Sequence, residues 1–469
     1  MSQQPKVLHR LAGLPLAAHV LRALAPLSPS RTVLVVGHGA AEVEATLGTG
    51  YGPDNALPVQ YALQAEQLGT GHAALMAEPM LKGYHGPVLI CTGDAPLLRS
   101  ATLSALANRH RQAHATLTML TAIAPDPAGY GRVVRDPEGN LLGVIEEKQA
   151  SLTQRAISEI NSGVYIFDSD WLWSNLRKVE LNSQGEYYLT DLVGMAIRHA
   201  KANPSPRNAP AATKRGGVVT FTLDGLEETM GINSRSQLAE AEAIIQARLR
   251  QQWLYAGVTM LMPDSVYLGV DVHLEPDTVL YPGVILEGHT QVARGCVLGP
   301  NTHIIDSTLG EGCRVISSMI EGSTLDRGVT VGPYSHVRPR SHLGESVHLG
   351  NFAEVSRSTL GRGVRMGHMS FMGDAQVGED TNIGAGTITA NYDGEKKNPT
   401  TIGKDVFLGV DTMLRAPVQV GDGAHTGAGS VVTKDVPANS LVVGMPARVM
   451  KRYDSVAPSG EGSQEVKEG

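Results

Sequence analysis

Aromatic residues make up only 4% of the 469 positions, with three tryptophans and five phenylalanines. A core with so few rings must be filled by Val, Leu and Ile, which suits a narrow interior. Cysteine is rarer still, at three residues: Cys91, Cys296 and Cys313. They lack the spacing of a zinc site and the density of a disulfide framework, so a reducing, cytoplasmic setting is expected. Positive charge is not in excess. A net charge of −7 and a pI near 6.1 argue against nucleic acid as the main partner. No apolar run is long enough to span a bilayer, so no membrane role is expected. The stretch 11–27 is apolar, but His19 and Arg22 interrupt it and its apolar residues recur at helical spacing. It reads as an amphipathic helix and not as a signal peptide.

What the chain does have is a beat of six in its C-terminal half. Apolar residues fall at Leu268, Leu274, Leu280, Leu286, Val292, Leu298 and Ile304, then after a slip at Leu325, Val331, Val337, Leu343, Leu349 and Val355. The beat continues through Leu360, Met366, Met372, Val377 and Ile383, and again through Ile402, Leu408, Leu414, Val420, Thr426 and Val432. Glycine often follows the beat residue, as at Gly344, Gly350 and Gly409. Neither a helix nor a half-buried strand sustains that period. A solenoid of short parallel strands does, with one inward aliphatic residue per side.

The first half alternates strand-like segments (32–36, 88–91, 117–121, 163–167 and 218–223) with helix-like ones such as 73–81 and 103–114. That alternation predicts an α/β sandwich on a mainly parallel sheet, with ligands beyond the carboxyl ends of the strands. The expected organisation is an α/β Rossmann-like domain over 1–232, a connecting helix over 233–257 capped by Ser234, an all-β solenoid over 258–450 and a disordered tail over 451–469. Residues 203–217 read as a surface loop.

Two signals in the first half carry chemistry. Cys91-Thr92-Gly93-Asp94 ends a hydrophobic strand, where a carboxylate beside glycine holds Mg²⁺ against a phosphate or, equally, caps the next helix. Gln64-Ala65-Glu66-Gln67-Leu68-Gly69-Thr70-Gly71-His72-Ala73 places Gly-Thr-Gly ahead of a helix, where backbone N–H groups meet a ligand or form a plain capped turn.

In the solenoid, Asn382-Ile383-Gly384-Ala385-Gly386-Thr387-Ile388-Thr389-Ala390-Asn391-Tyr392-Asp393-Gly394 breaks the beat. Such an excursion marks a site, a subunit contact or a tolerated insertion. With three hexads to a turn, those starting at Leu349 and Met366 share a face on successive turns about 4.8 Å apart. Glu354 closes the first and His368 lies within the second, so the two are expected to meet, the carboxylate orienting the ring. A lone histidine on a solenoid is otherwise a surface residue. His336, His342 and His348 also recur every six residues. Successive hexads face different sides of a prism, so these three are not expected to share a metal.

The ordered set Pro5-Lys6-Val7-Leu8, Gln64–Ala73, Thr92-Gly93-Asp94, Gly129-Tyr130-Gly131-Arg132, Glu146-Glu147-Lys148, Glu159-Ile160-Asn161-Ser162-Gly163, Gln184-Gly185-Glu186-Tyr187-Tyr188-Leu189-Thr190-Asp191 and Gly231-Ile232-Asn233 resembles the bifunctional N-acetylglucosamine-1-phosphate uridyltransferase/glucosamine-1-phosphate acetyltransferase family. The solenoid matches that family's second half. The resemblance implies a left-handed parallel β-helix of hexapeptide repeats, a homotrimer sharing each acetyl site, acetyl-CoA and UTP as co-substrates, Mg²⁺ as cofactor, and UDP-N-acetylglucosamine for the cell envelope as product. It implies that Gln64, Gly69 and Thr70 read the uracil and that Lys6 meets a phosphate. Gly131, Glu146 and Asn161 would hold the acetylated sugar beside Gly93, and Asp94 and Asn233 the metal. In the solenoid it implies His368 as base, Glu354 as its orienter and Arg338 on the sugar phosphate. Asn382, Asn391 and Tyr392 would place the sugar, and the backbone at Ala385 and Ala428 would meet the thioester and CoA.

Two departures modify these expectations. The family opens with a strand and Leu-Ala-Ala-Gly-x-Gly-Thr-Arg-Met, whereas this sequence starts at Met1-Ser2-Gln3-Gln4, where that loop ends. Without the Gly-rich loop and its arginine, a truncated first domain weak in uridylyl transfer is expected, with strands next to the missing one stripped of partners. In the second half Ser356 stands for the phosphate-binding lysine, Phe371 for a tyrosine, Val410 for a serine and Met445 for an arginine. The alternatives are a relative acting on another amino-sugar phosphate, or a trimeric scaffold with a decayed first domain.

Overall fold

The structure is a computed structural model that describes residues 4–52, 56–203 and 216–452. The chain divides into two compact units, Met1–Ile245 and Gln246–Gly469, and the division falls inside the helix Arg235–Tyr255. The loop expected over 203–217 and the tail expected over 451–469 lie almost wholly outside the described residues.

Each segment expected as a strand in the first unit is one: Val33–Val36, Pro87–Ile90, Ala115–Ile123, Glu159–Asp168 and Gly216–Leu223. The helices Leu16–Leu24 and Ser100–Ala113 cover them, with Leu16, Leu103 and Leu106 fully buried. Ser234 caps the last helix by accepting from the Gln237 N–H at 3.1 Å. The main sheet corrects one expectation, because it is mixed and not mainly parallel. Pro87–Ile90, Ala115–Ile123 and Gly216–Leu223 share a direction, but the long strand Glu159–Asp168 pairs antiparallel with the first two. A run of apolar residues buried on both faces reads the same whichever way it runs.

Val33–Val36 pairs only with Gln60–Leu63, in a two-stranded sheet of its own, and Pro87–Ile90 pairs only with Glu159–Asp168. Each therefore keeps one edge without a strand partner among the described residues.

The second unit is a three-sided parallel solenoid, with sheets of 12, 10 and 9 strands that begin at Thr259–Met260, Tyr267–Leu268 and His273–Leu274. Strand order and six-residue spacing are those of a hexapeptide-repeat left-handed β-helix. Every beat residue points inward and is at most 4% exposed, each aliphatic one and each methionine contributing roughly 1.5–3 kcal/mol of hydrophobic burial. Through the slip between Ile304 and Leu325 the ladder holds, because Leu309, Val315 and Ile320 take the inward places. Corners absorb the missing residues. The excursion after Ile388–Ala390 is a loop closed by a bridge between Tyr392 and Lys397. Asp393 clasps it from inside, held at about 2 by the backbone N–H groups of Lys396 and Glu395.

His336, His342 and His348 lie on three different sheets, as expected, and pair with Glu321, Asp326 and Thr330. No group of three or more His, Cys, Asp or Glu among the described residues is placed to hold a metal. Among the same residues no helix is long and apolar enough to cross a membrane.

Candidate active sites

In the first unit Gln64–Ala73 and Thr92–Asp94 follow the carboxyl ends of their strands, whereas Gly131 and Asn161 lie at the amino ends of theirs. Thr92, Gly93 and Asp94 follow Pro87–Ile90, and a Cβ on Gly93 would lie 3.7 Å from Val7. Lys6 then ties two distant motifs together. Its Nζ donates to Asp94 Oδ2 at 2.5 Å and to Asn233 Oδ1 at 2.7 Å. A carboxylate and an amide oxygen thus share one ammonium, which is the arrangement a cation-holding pair presents to whatever positive charge is nearest.

The Gln64–Ala73 segment is bolted in place by residues far along the chain. Gly71 N–H donates to the Tyr187 carbonyl and Tyr187 N–H to the Leu68 carbonyl, each at 2.8 Å. Thr70 Oγ1 accepts from Leu189 N–H at 3.0 Å. Gly69 has φ +97, and a Cβ there would lie 2.7 Å from the Tyr187 carbonyl oxygen, so no other residue fits. Gln64 spends its amide N–H groups on the Gly69 carbonyl and on His72 Nδ1, both at 3.1 Å. Its Oε1 has no partner among the described residues.

Beside this loop, Gly131, Glu146 and Asn161 surround one space. A Cβ on Gly131 would sit 3.6 Å from both Glu146 Oε2 and Asn161 Cβ. Thr190 donates to Glu146 Oε1 at 3.0 Å, and the Tyr165 hydroxyl to Asn161 Oδ1 at 2.9 Å. Sequence reasoning assigned no role to Thr190 or Tyr165. Thr190 lies in a motif already singled out, but which side chains turn inward is decided by the fold.

In the solenoid, His368 ends the strand Arg365–His368 and is exposed, and its ring has no hydrogen-bond partner among the described residues. The register pairs it with Asn351 on the preceding turn. Glu354 belongs to the next face, pairing with His336 and Phe371, because the corner at Phe352 falls before it. No hydrogen bond joins Glu354 to His368 among the described residues. Glu354 instead accepts from Arg338 Nη1 at 2.9 Å. Arg338, expected on the sugar phosphate, is thus on the same face.

One edge of the prism gathers further candidates. Register places Met366, Ile383, Leu408 and Thr426 in one inward column, so His368, Ala385, Val410 and Ala428 succeed each other along the edge two residues on. Backbone bonds join these turns: Asp411 N–H to Ala385 O at 2.7 Å and Gly429 N–H to Val410 O at 2.8 Å. Asn382 lies on the face leading to this edge. Asn391 and Tyr392 do not. They follow the strand Ile388–Ala390 at the far corner of the next face, where Asn391 is buried and Tyr392 is 60% exposed. The exposed His368 and the Asn391 amide therefore lie on different edges of one protomer.

The Nucleotidyl transferase family matches residues 1–208, and the Bacterial transferase hexapeptide (six repeats) family matches residues 399–434. A "Bifunctional protein GlmU" from Heliobacterium modesticaldum is 46% identical over 444 residues, covering 94% of this chain and 92% of its own. The proteins of that name from Streptococcus equi subsp. zooepidemicus and from Geobacillus sp. are each 42% identical, covering 95% and 96% of this chain and 92% and 93% of theirs. At such identity over nearly its whole length, the chain belongs to the bifunctional GlmU family.

Proposed function

We propose that the solenoid transfers the acetyl group of acetyl-CoA to the amine of glucosamine 1-phosphate. The observation that carries this reading is the exposed His368 imidazole on the edge it shares with Ala385, Val410 and Ala428, a rail of backbone suited to an extended thioester arm. The amine nitrogen attacks the thioester carbonyl, the N–C bond forms, and the C–S bond breaks to release the CoA thiolate. His368 takes the proton that the amine must lose, since an ammonium has no lone pair. Arg338, bound to Glu354, meets the sugar phosphate. The sugar contacts of Asn391 and Tyr392 come from a different edge than His368, so copies packed side by side as a trimer would complete each site.

The first unit, in the same reading, joins N-acetylglucosamine 1-phosphate to UTP. A phosphate oxygen of the sugar attacks the α-phosphorus and pyrophosphate leaves. Gln64 Oε1 is the acceptor for the uracil N3–H, with Gly69 and Thr70 framing the base. Gly131, Glu146 and Asn161 enclose the acetylated sugar. Asp94 and Asn233 fit Mg²⁺, because both offer hard oxygen atoms at one point and Mg²⁺ takes few protein ligands beside phosphate and water. When bound, the metal supplies charge against the phosphates, and Lys6 then turns to a phosphate oxygen. A cytoplasmic setting fits three free thiols.

A second reading concerns the sugar. Ser356, in place of the lysine, is 2% exposed and its Oγ accepts from Arg357 at 3.0 Å, while Arg357 is committed to Asp374. Phosphate binding then rests on Arg338, which favours a relative that also accepts another amino-sugar phosphate. The test is His368→Ala in an assay of CoA release. A loss of about 10²–10⁴-fold is expected with the melting temperature unchanged; near-full activity would remove His368 as the base.

A further inference from the structure

We propose that Asp374 and Arg357 form a positioning pair that fixes the side-chain amide of Asn391 with its oxygen presented to the amino group of the sugar substrate. The inference rests on the acetyl-transfer reading and adds two residues to it.

The three residues stand on successive turns of one corner of the prism. Arg357 and Asp374 hold left-handed backbone conformations, with φ of 49 and 53, and Asp374 N–H donates to the Ser356 carbonyl at 3.0 Å. Arg357 grips the carboxylate with two parallel bonds, Nε to Oδ1 at 2.7 Å and Nη2 to Oδ2 at 2.8 Å. The fork leaves Asp374 little freedom to rotate. On its other side, Asn391 Nδ2 donates to Asp374 Oδ2 at 2.6 Å. The backbone makes room for this contact, since a Cβ on Gly373 would lie 2.5 Å from Asn391 Nδ2.

The chemistry then dictates which way the amide faces. The Arg357 guanidinium holds the Asp374 carboxyl below the usual carboxylate range, and the Asn391 bond adds to this. An ionised carboxylate only accepts, so the Asn391 NH₂ must face it and Oδ1 is left for a ligand. A neutral amine that is to attack a thioester carries N–H bonds that need acceptors while its lone pair points at the carbonyl carbon. A flipped amide would offer N–H to N–H and repel it. Asn391 is 8% exposed and Tyr392, next in the chain, is 60% exposed, so the amide lies just beneath an open surface.

The test compares Asp374→Asn, Arg357→Met and Arg357→Lys with the unmodified protein. KM for glucosamine 1-phosphate, KM for acetyl-CoA, kcat and melting temperature are measured for each. A residue-374 amide offers both donor and acceptor and no longer dictates the flip. Asp374→Asn and Arg357→Met are expected to raise KM for the amino sugar by about tenfold or more, the scale of one charge-assisted hydrogen bond. KM for acetyl-CoA should stay within about twofold, since neither residue lies on the His368 edge. Arg357→Lys, which keeps a cation on the carboxylate, should recover most of the affinity. If the amino-sugar KM is unchanged, the inference fails. It also fails if both KM values and the melting temperature shift together, which is a purely structural effect. If instead the unmodified protein releases no CoA with any amino-sugar phosphate, the acetyl-transfer reading itself has failed.

Discussion

A single methyl group should separate two glycines that occupy the same position on successive turns. Gly350 and Gly367 each follow an inward residue, Leu349 and Met366, which are register partners. A Cβ on Gly350 would overlap the Gly367 carbonyl oxygen and lie 2.7 Å from its carbon and 3.0 Å from its Cα. Carbon atoms in good contact sit about 3.5–4.0 Å apart, so roughly 1 Å must be regained. No side chain is involved, so the backbone must move. Met369 N–H to Asn351 O and His348 N–H to Val364 O, both at 2.9 Å, hold the two turns together nearby. Overpacking of about 1–3 kcal/mol, plus about 1 kcal/mol for a weakened ladder bond, gives roughly 2–4 kcal/mol for Gly350→Ala. On Gly367 a Cβ has nothing within 4 Å, and Gly367→Ala should stay within about 0.5 kcal/mol. Urea unfolding read by circular dichroism measures both, and Leu408→Ala, a fully buried solenoid residue, identifies the solenoid transition. Equal effects of the two glycine variants would refute the argument from turn spacing.

The first unit should lose stability on acidification through His110, which is buried, bonds Thr118 Oγ1 at 2.9 Å, and is lowered by that burial to about 4 from 6.5. A histidine kept neutral when folded stabilises fully above pH 6.5 and loses its contribution as pH falls from there to 4, on the order of 3 kcal/mol in all. Denaturation midpoints across that window should fall for the unmodified protein and flatten in His110→Leu; parallel slopes would assign the acid sensitivity elsewhere. Thr190→Val removes the hydroxyl that holds Glu146 and should weaken binding of N-acetylglucosamine 1-phosphate by about three- to tenfold in calorimetry. Unchanged affinity would take Glu146 out of the sugar site.

The solenoid was legible because its period is written into every turn: nearly every inward place is apolar, with Thr389 and Thr426 as exceptions, and only such a prism repeats that way. The sheet of the first unit was legible as strands but not as directions, since the antiparallel entry of Glu159–Asp168 leaves no mark on an apolar run. Glu354 shows the same limit at finer scale. Hexad counting groups it with Leu349, but the chain turns at Phe352, and the carboxylate opens the next face against Arg338. Thr190, Asp374 and Arg357 were missed because their roles arise from hydrogen bonds across segments far apart in sequence or on neighbouring turns. Lys6 was expected at a phosphate, and its place between Asp94 and Asn233 depends on three segments meeting.

The most direct test is one reaction containing glucosamine 1-phosphate, acetyl-CoA, UTP and Mg²⁺, with free CoA and pyrophosphate scored separately. The account predicts release of CoA and, from the N-acetylglucosamine 1-phosphate so formed, of pyrophosphate. CoA without pyrophosphate would remove uridylyl transfer from the first unit. Absence of CoA, with glucosamine 1-phosphate and with other amino-sugar phosphates, would contradict the central claim that the His368 edge is an acetyltransferase site.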